Sequence, residues 1–136
     1  MFLFAREHVG MIVVNYPRMK SQTRRLHKRA HAVAGGIHWA QRGTTADTRF
    51  ARLKVTRVCT ENLWNISEAD VLAEGYENRE AYFEAFNRIN KRDKAGVSAI
   101  PSPVVYCYEF EVLSVTDYGM QESVRAAKEY DAGLSE

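Results

Sequence analysis

Cysteine is nearly absent: Cys59 and Cys107 are the two in 136 residues. That excludes a disulfide-built scaffold, and both thiols read as reduced, small apolar groups rather than nucleophiles. Glycine and proline are sparse, at 8 and 3 residues, which excludes a collagen-like chain. No apolar run approaches the ~18 residues of a membrane span. The opening Met1-Phe2-Leu3-Phe4-Ala5 is too short for the core of a secretory signal, and Arg6-Glu7-His8 interrupts it. The expected location is therefore cytoplasmic, with no membrane partner. No repeat or low-complexity segment stands out. What is present, 46% hydrophobic and 26% charged residues, describes a folded globule rather than a disordered chain. This length suits one domain, whose core buries roughly two-thirds of the unfolded surface.

The formal charge of +2 conceals a gradient. Residues 1–70 hold 12 Lys+Arg against 5 Asp+Glu, whereas residues 71–136 hold 7 against 12. Arg18, Lys20, Arg24, Arg25, Lys28 and Arg29 fall within twelve residues that contain no acid. Such a cluster attracts phosphates, or else is a solvated basic loop.

Residues 2–5 read as an opening strand. Val9, Ile12 and Val13 suggest a short amphipathic helix over about residues 6–14, although Met11-Ile12-Val13-Val14 also suits a buried strand. Asn15-Tyr16-Pro17 closes it. Ala34-Gly35-Gly36 reads as a turn, since no Lys-Ser/Thr follows to make a phosphate loop. A strand is expected at 37–41 and a connection at 42–45. Residues 50–58 form the clearest strand: Ala51, Leu53 and Val55 alternate with Arg52, Lys54 and Thr56. Ser67-Glu68-Ala69-Asp70 has the form of a capping box for a helix to about residue 73, which Gly75 ends. Asn78 can cap a second helix whose stripe of Tyr82, Phe83, Phe86 and Ile89 reads as core. Residues 91–99 read as a polar loop and 104–113 as a long strand. On it Tyr106, Tyr108, Phe110 and Val112 share one face, and Val105, Cys107, Glu109 and Glu111 the other. A polar helix or tail is expected over about 119–130. The pattern is α+β or a small barrel.

His27 and His31 stand at i and i+4, but the surrounding arginines and lysines oppose a cation. No metal and no cofactor is expected. Trp39 and Trp64 could stack on a base, although packing is the default for lone tryptophans. Lys20-Ser21-Gln22-Thr23-Arg24-Arg25 is more suggestive. If extended, it puts Thr23 and Arg25 on one face. A lysine swung back beside a threonine hydroxyl is a base–nucleophile pair. An adjacent arginine can bind a carbonyl, a phosphate or a developing oxyanion.

At Lys20, Thr23 and Arg25 the chain resembles the K-x-x-T-x-R pattern of the ASCH family, small β-barrels related to PUA domains. Residues 4–12, 36–40 and 50–58 resemble that family's opening strand and helix, following strand and central strand. Ile66-Ser67-Glu68-Ala69-Asp70-Val71-Leu72-Ala73-Glu74-Gly75-Tyr76 is similar to its I-S-x-x-x-A-x-x-E-G segment, and 104–112 to its closing strand. The resemblance implies a small PUA-like barrel with short flanking helices over 1–116, followed by a helical extension or tail over 117–136. It also implies a nucleoside or RNA as partner, handled by a monomer or homodimer. Some small bacterial members hydrolyse N4-acetylcytidine; others are described as ribonucleases or presumed RNA binders. Carried over, the amidohydrolase pattern makes Lys20 the base, Thr23 the nucleophile and Glu74 the third polar member. Arg25 becomes the substrate or oxyanion ligand, with Arg24 a second substrate contact. In a non-catalytic RNA reader, Arg18, Lys28 and Arg29 would hold phosphates. As base, Lys20 would need its pKa lowered by roughly 3 units, about 4 kcal/mol of bias toward the neutral amine. Arg25 pushes that way and an adjacent Glu74 pushes back. The conflict is resolved if Glu74 contacts Thr23, Arg25 or the substrate, or if Lys20 stays charged as a clamp.

Overall fold

A computed structural model of the chain describes residues 1–90 and 102–134, so the loop expected at 91–99 lies outside the described residues. The elements run β1 (Phe2–Leu3), α1 (Arg6–Val13), β2 (Gln22–Arg25), β3 (Ile37–Gln41), β4 (Arg49–Asn62), α2 (Glu68–Ala73), α3 (Arg79–Ile89), β5 (Val104–Val115) and α4 (Asp117–Leu134). The five strands form one sheet in the order β1-β3-β4-β5-β2; β1 pairs parallel to β3 and the other pairs are antiparallel. The sheet curls into a half-barrel. Its edges approach closely enough for the Arg25 guanidinium on β2 to lie 5.7 Å from the Phe2 ring and 4.8 Å from that of Phe4. The α+β class and small-barrel architecture hold.

The alternation on β4 sets the core. Ala51, Leu53 and Val55 are at most 1% exposed, while Arg52 and Lys54 face solvent. They pack with Phe4, Val9, Ile12, Phe50, Tyr108 and Phe110 inside the curl. Full burial of each large apolar side chain contributes about 1.5–3 kcal/mol. β5 serves two cores, because helices cover its other face. Val105 packs with Leu63, Ile66, Val71, Tyr82 and Phe86, beneath α2 and α3.

The caps form as expected. Ser67 accepts from the Asp70 amide and starts α2; Asn78 accepts from the Ala81 amide and starts α3. Residues 6–13 are helical, so the strand alternative for 11–14 falls. Val9 and Ile12 bury against the sheet at helical spacing, and this outweighs the β preference of a four-residue apolar run. One strand outruns its expected length, and another forms where none was given bounds. β4 continues to Asn62 because Cys59, Thr60, Glu61 and Asn62 pair with residues of β5. The basic segment holds β2, four residues that pair antiparallel with Tyr106–Glu109. Gly119 lets α4 dock: an added Cβ there would stand 2.2 Å from the Phe50 carbonyl oxygen. Among the described residues no helix is long and apolar enough to cross a membrane.

Candidate functional site

β2 sorts its side chains by parity. Thr23 and Arg25 point into the curl, while Gln22 and Arg24 point toward α2. Gly75, at φ +100°, ends α2, where a Cβ would meet Met11 Sδ at 2.7 Å. The turn brings Glu74 against β2. Lys20, Thr23, Arg24, Arg25 and Glu74 thus line one cavity of about 70 Å³, roofed by Tyr76, Tyr82 and Phe86 and bounded by His8 of α1. Arg18, Lys28 and Arg29 do not line it. Arg18 pairs with Glu77 at 3.4 Å beside a separate open cleft, and Lys28 and Arg29 are exposed in the following loop.

Glu74 is the hub and is 2% exposed. Its Oε1 accepts from Lys20 Nζ at 2.8 Å and its Oε2 from Arg24 Nη1 at 2.8 Å; Lys20 Nζ also donates to the Glu74 carbonyl at 3.2 Å. Glu74 therefore meets Lys20 and Arg24, not Thr23 or Arg25. The carboxylate goes where two buried cations need it, because an isolated buried cation is far costlier than a paired one. Nor does Lys20 bond Thr23: the Thr23 Oγ1 accepts from Arg25 Nε at 2.9 Å. Arg24 is an anchor, donating to Gln22, Glu61, Asp70 and Glu74, four bonds for its five N–H groups.

Burial pulls the Lys20 pKa below its ordinary value, with Glu74 opposing and Arg25 and Arg24 adding to the fall. Burial acts the same way on Arg24, but Glu74 leads a reversal and holds its guanidinium above the usual value. Burial lowers Arg25 to about 10, offset only in part by Glu74. Arg25 has no carboxylate within ion-pair reach among the described residues. Among the described residues its terminal nitrogens have no hydrogen-bond acceptor, so they remain available in the cavity.

Three wall residues escaped the sequence reading. The Tyr82 hydroxyl is buried without a hydrogen-bond partner among the described residues, and burial raises its pKa so that it keeps its proton. It belonged to a stripe read as core; a tyrosine among phenylalanines was the available signal. His8 and Tyr76 share a 2.8 Å hydrogen bond, Tyr76 donates to Glu7 at 3.1 Å, and Arg88 clamps Glu7 at 2.7 and 3.1 Å. With the phenol proton given to Glu7, the protonated nitrogen of His8 is Nε2. Burial, with Lys20, Arg25 and Arg88, holds His8 well below the usual histidine range, so it is neutral. The His27 and His31 rings stack at 3.6 Å, and His27 Nδ1 bonds the Tyr108 hydroxyl. Cys59 and Cys107 face each other across β4 and β5, and burial raises the Cys107 thiol.

No protein-family model matches the sequence, and comparison with curated proteins finds no match. Solved structures do match. Protein EF3133 from Enterococcus faecalis, of the DUF984 family, aligns with a TM-score of 0.58 at 17% identity over 85% of this chain and 80% of its own. An ASCH domain from Lactobacillus crispatus gives 0.55 at 16%, over 82% and 77%. A mutant of ZmASCH from Zymomonas mobilis gives 0.53 at 8%, over 92% and 79%. At such identities the likeness speaks for architecture alone. The chain has the fold of the ASCH domains.

Proposed function

We propose that this is a nucleoside- or RNA-handling domain whose cavity receives the carbonyl edge or acyl group of one base. The observation that carries the reading is Arg25, a half-buried guanidinium whose terminal nitrogens have no acceptor among the described residues, beside the Thr23 hydroxyl and the Tyr82 hydroxyl. All three can donate, so the cavity favours an acceptor oxygen. At about 70 Å³ it is far smaller than the ~300–1,000 Å³ of sites that engulf a drug-sized ligand. The rest of the nucleoside stays outside.

Under this reading the reaction is amide hydrolysis of N4-acetylcytidine or a similar small amide. Thr23 Oγ attacks the acyl carbon while Lys20 accepts its proton. Arg25 and Tyr82 donate to the developing oxyanion. The C–N bond breaks, Lys20 returns the proton to the leaving amine, and water then hydrolyses the threonyl ester to acetate. Glu74 and Arg24 hold Lys20 in place. Wild-type protein incubated with N4-acetylcytidine is expected to shift its ultraviolet spectrum to that of cytidine. Thr23→Val is expected to stop the reaction, and Arg25→Gln to slow it about 100-fold. A wild type that leaves the spectrum unchanged ends the hydrolase reading.

The Lys20–Glu74 ion pair favours a second reading, because a lysine held as ammonium is a clamp and not a base. The domain would then bind a base without cleaving it, with Lys28, Arg29 and Arg18 on phosphates. Cytidine binding that depends on Arg25 but yields no product would support this version.

A further inference from the structure

Half of the basic cluster most visible in the sequence is consumed by the fold: Lys20, Arg24 and Arg18 are ion-paired. A different set of cations stands without an acid partner on the outer side of the sheet: Arg52 and Lys54 are exposed, and Arg49 is half-buried with its Nε donating to Gln41 at 3.4 Å. Arg52 and Lys54 project from β4, opposite Trp39 and Ile37 of β3. The Arg49 and Arg52 guanidiniums lie 4.9 and 5.0 Å from the Trp39 ring. None of Arg49, Arg52 and Lys54 has a carboxylate within 4 Å among the described residues; the ion-paired cation of this strand is Arg57, with Glu109. Exposed Glu111, the register partner of Lys54, is the acid facing the patch from β5.

Stacking on an indole fixes the plane of a guanidinium and leaves its N–H edges outward. Two arginines held this way, with Lys54 two residues along the strand, make a pre-set row of donors for phosphate oxygens. Charged and polar side chains predominate here, with Ile37 and, on β5 beside Ser114, Leu113 as the exposed large apolar neighbours, so the face suits a phosphate backbone better than the apolar insertion a lipid surface needs. We propose that the outer face of β3 and β4, built from Trp39, Arg49, Arg52 and Lys54, binds the backbone of single-stranded RNA, with the Trp39–arginine stack as its aromatic element. This face lies outside the cavity and needs no chemistry from it.

The test uses a fluorescent 12-nucleotide oligouridine and the full chain. Anisotropy at low salt is expected to show binding that weakens at least tenfold in R49Q/R52Q/K54Q. The slope of log affinity against log salt should fall by about 2, three contacts at ~0.7 each. In Trp64→Phe protein, where Trp39 is the single tryptophan, the oligonucleotide is expected to change the emission. Trp39→Ala should weaken binding about threefold without touching a charge. The proposal is overturned if the triple variant binds like wild type while keeping its melting temperature. It is also overturned if the loss follows R18Q/K28Q/R29Q instead, or if phosphatidylserine vesicles are bound and the RNA is not. Turnover of N4-acetylcytidine should be unchanged in R49Q/R52Q/K54Q, so a failure of this face and a failure of the cavity reading are told apart.

Discussion

At the scale of the residue, Glu74 holds the site together. One carboxylate compensates two cations whose side chains are 1% exposed, Lys20 and Arg24. Glu74→Gln strands Lys20, while Arg24 keeps Glu61 and Asp70, and urea unfolding is expected to show a loss of about 3–5 kcal/mol. Lys20→Met should cost less, since Glu74 keeps Arg24 and the methionine fills the space. If the glutamine variant were as stable as wild type, Glu74 would not be the compensating charge. Arg25 occupies the opposite situation: it is neighbour to Glu74 but not its partner, and this leaves it free to meet a ligand.

At the scale of the element, the short connections decide what meets. β2 is four residues long, yet its pleat sends Arg24 to the anchoring network and Arg25 to the cavity, one residue apart. α4 is proposed as the extension beyond the ASCH-like part of the chain. It packs along α1 and onto β4, with Ser123 buried and Gly119 against Phe50. Gly119→Ala places a methyl group into backbone, which cannot yield as a flexible side chain does. The expected cost is about 1–3 kcal/mol, read as a lower midpoint in urea. An unchanged midpoint would show that α4 is not held at this position.

At the scale of the whole molecule, histidine burial ties stability to pH. His8 is held well below its ordinary 6.5, chiefly by burial, and burial with His31 and Arg25 takes His27 to about 4. Unfolded, both return to the ordinary value and bind a proton first as the pH falls. The unfolded chain therefore carries more protons below about pH 6.5, and the folded state loses stability progressively toward pH 4. Urea midpoints taken from about pH 7 down to about pH 5 should decline, and His8→Gln should flatten the decline. A flat wild-type profile would contradict the buried, neutral His8.

Much of the architecture is legible in local pattern, because its causes are local. The β4 alternation, the Ser67 and Asn78 caps and the stop at Gly75 each follow from residues within a few positions of one another. The K-x-x-T-x-R and E-G segments even name side chains that share one cavity. Partner choice is not local. Sequence distance could not reveal that Glu74 would take Lys20 and Arg24 and leave Thr23 to Arg25, because burial and reach across the fold set that competition. The same holds for Tyr82, whose apolar stripe is indistinguishable from core until the hydroxyl is seen without a partner among the described residues. It holds again for Arg18, Lys20 and Arg24, whose acids lie some 37 to 59 residues along the chain. Propensity and periodicity determined the elements; the tertiary fold alone decided which charges cancel and which stay open to a ligand, since electrostatic pairing depends on distance in space.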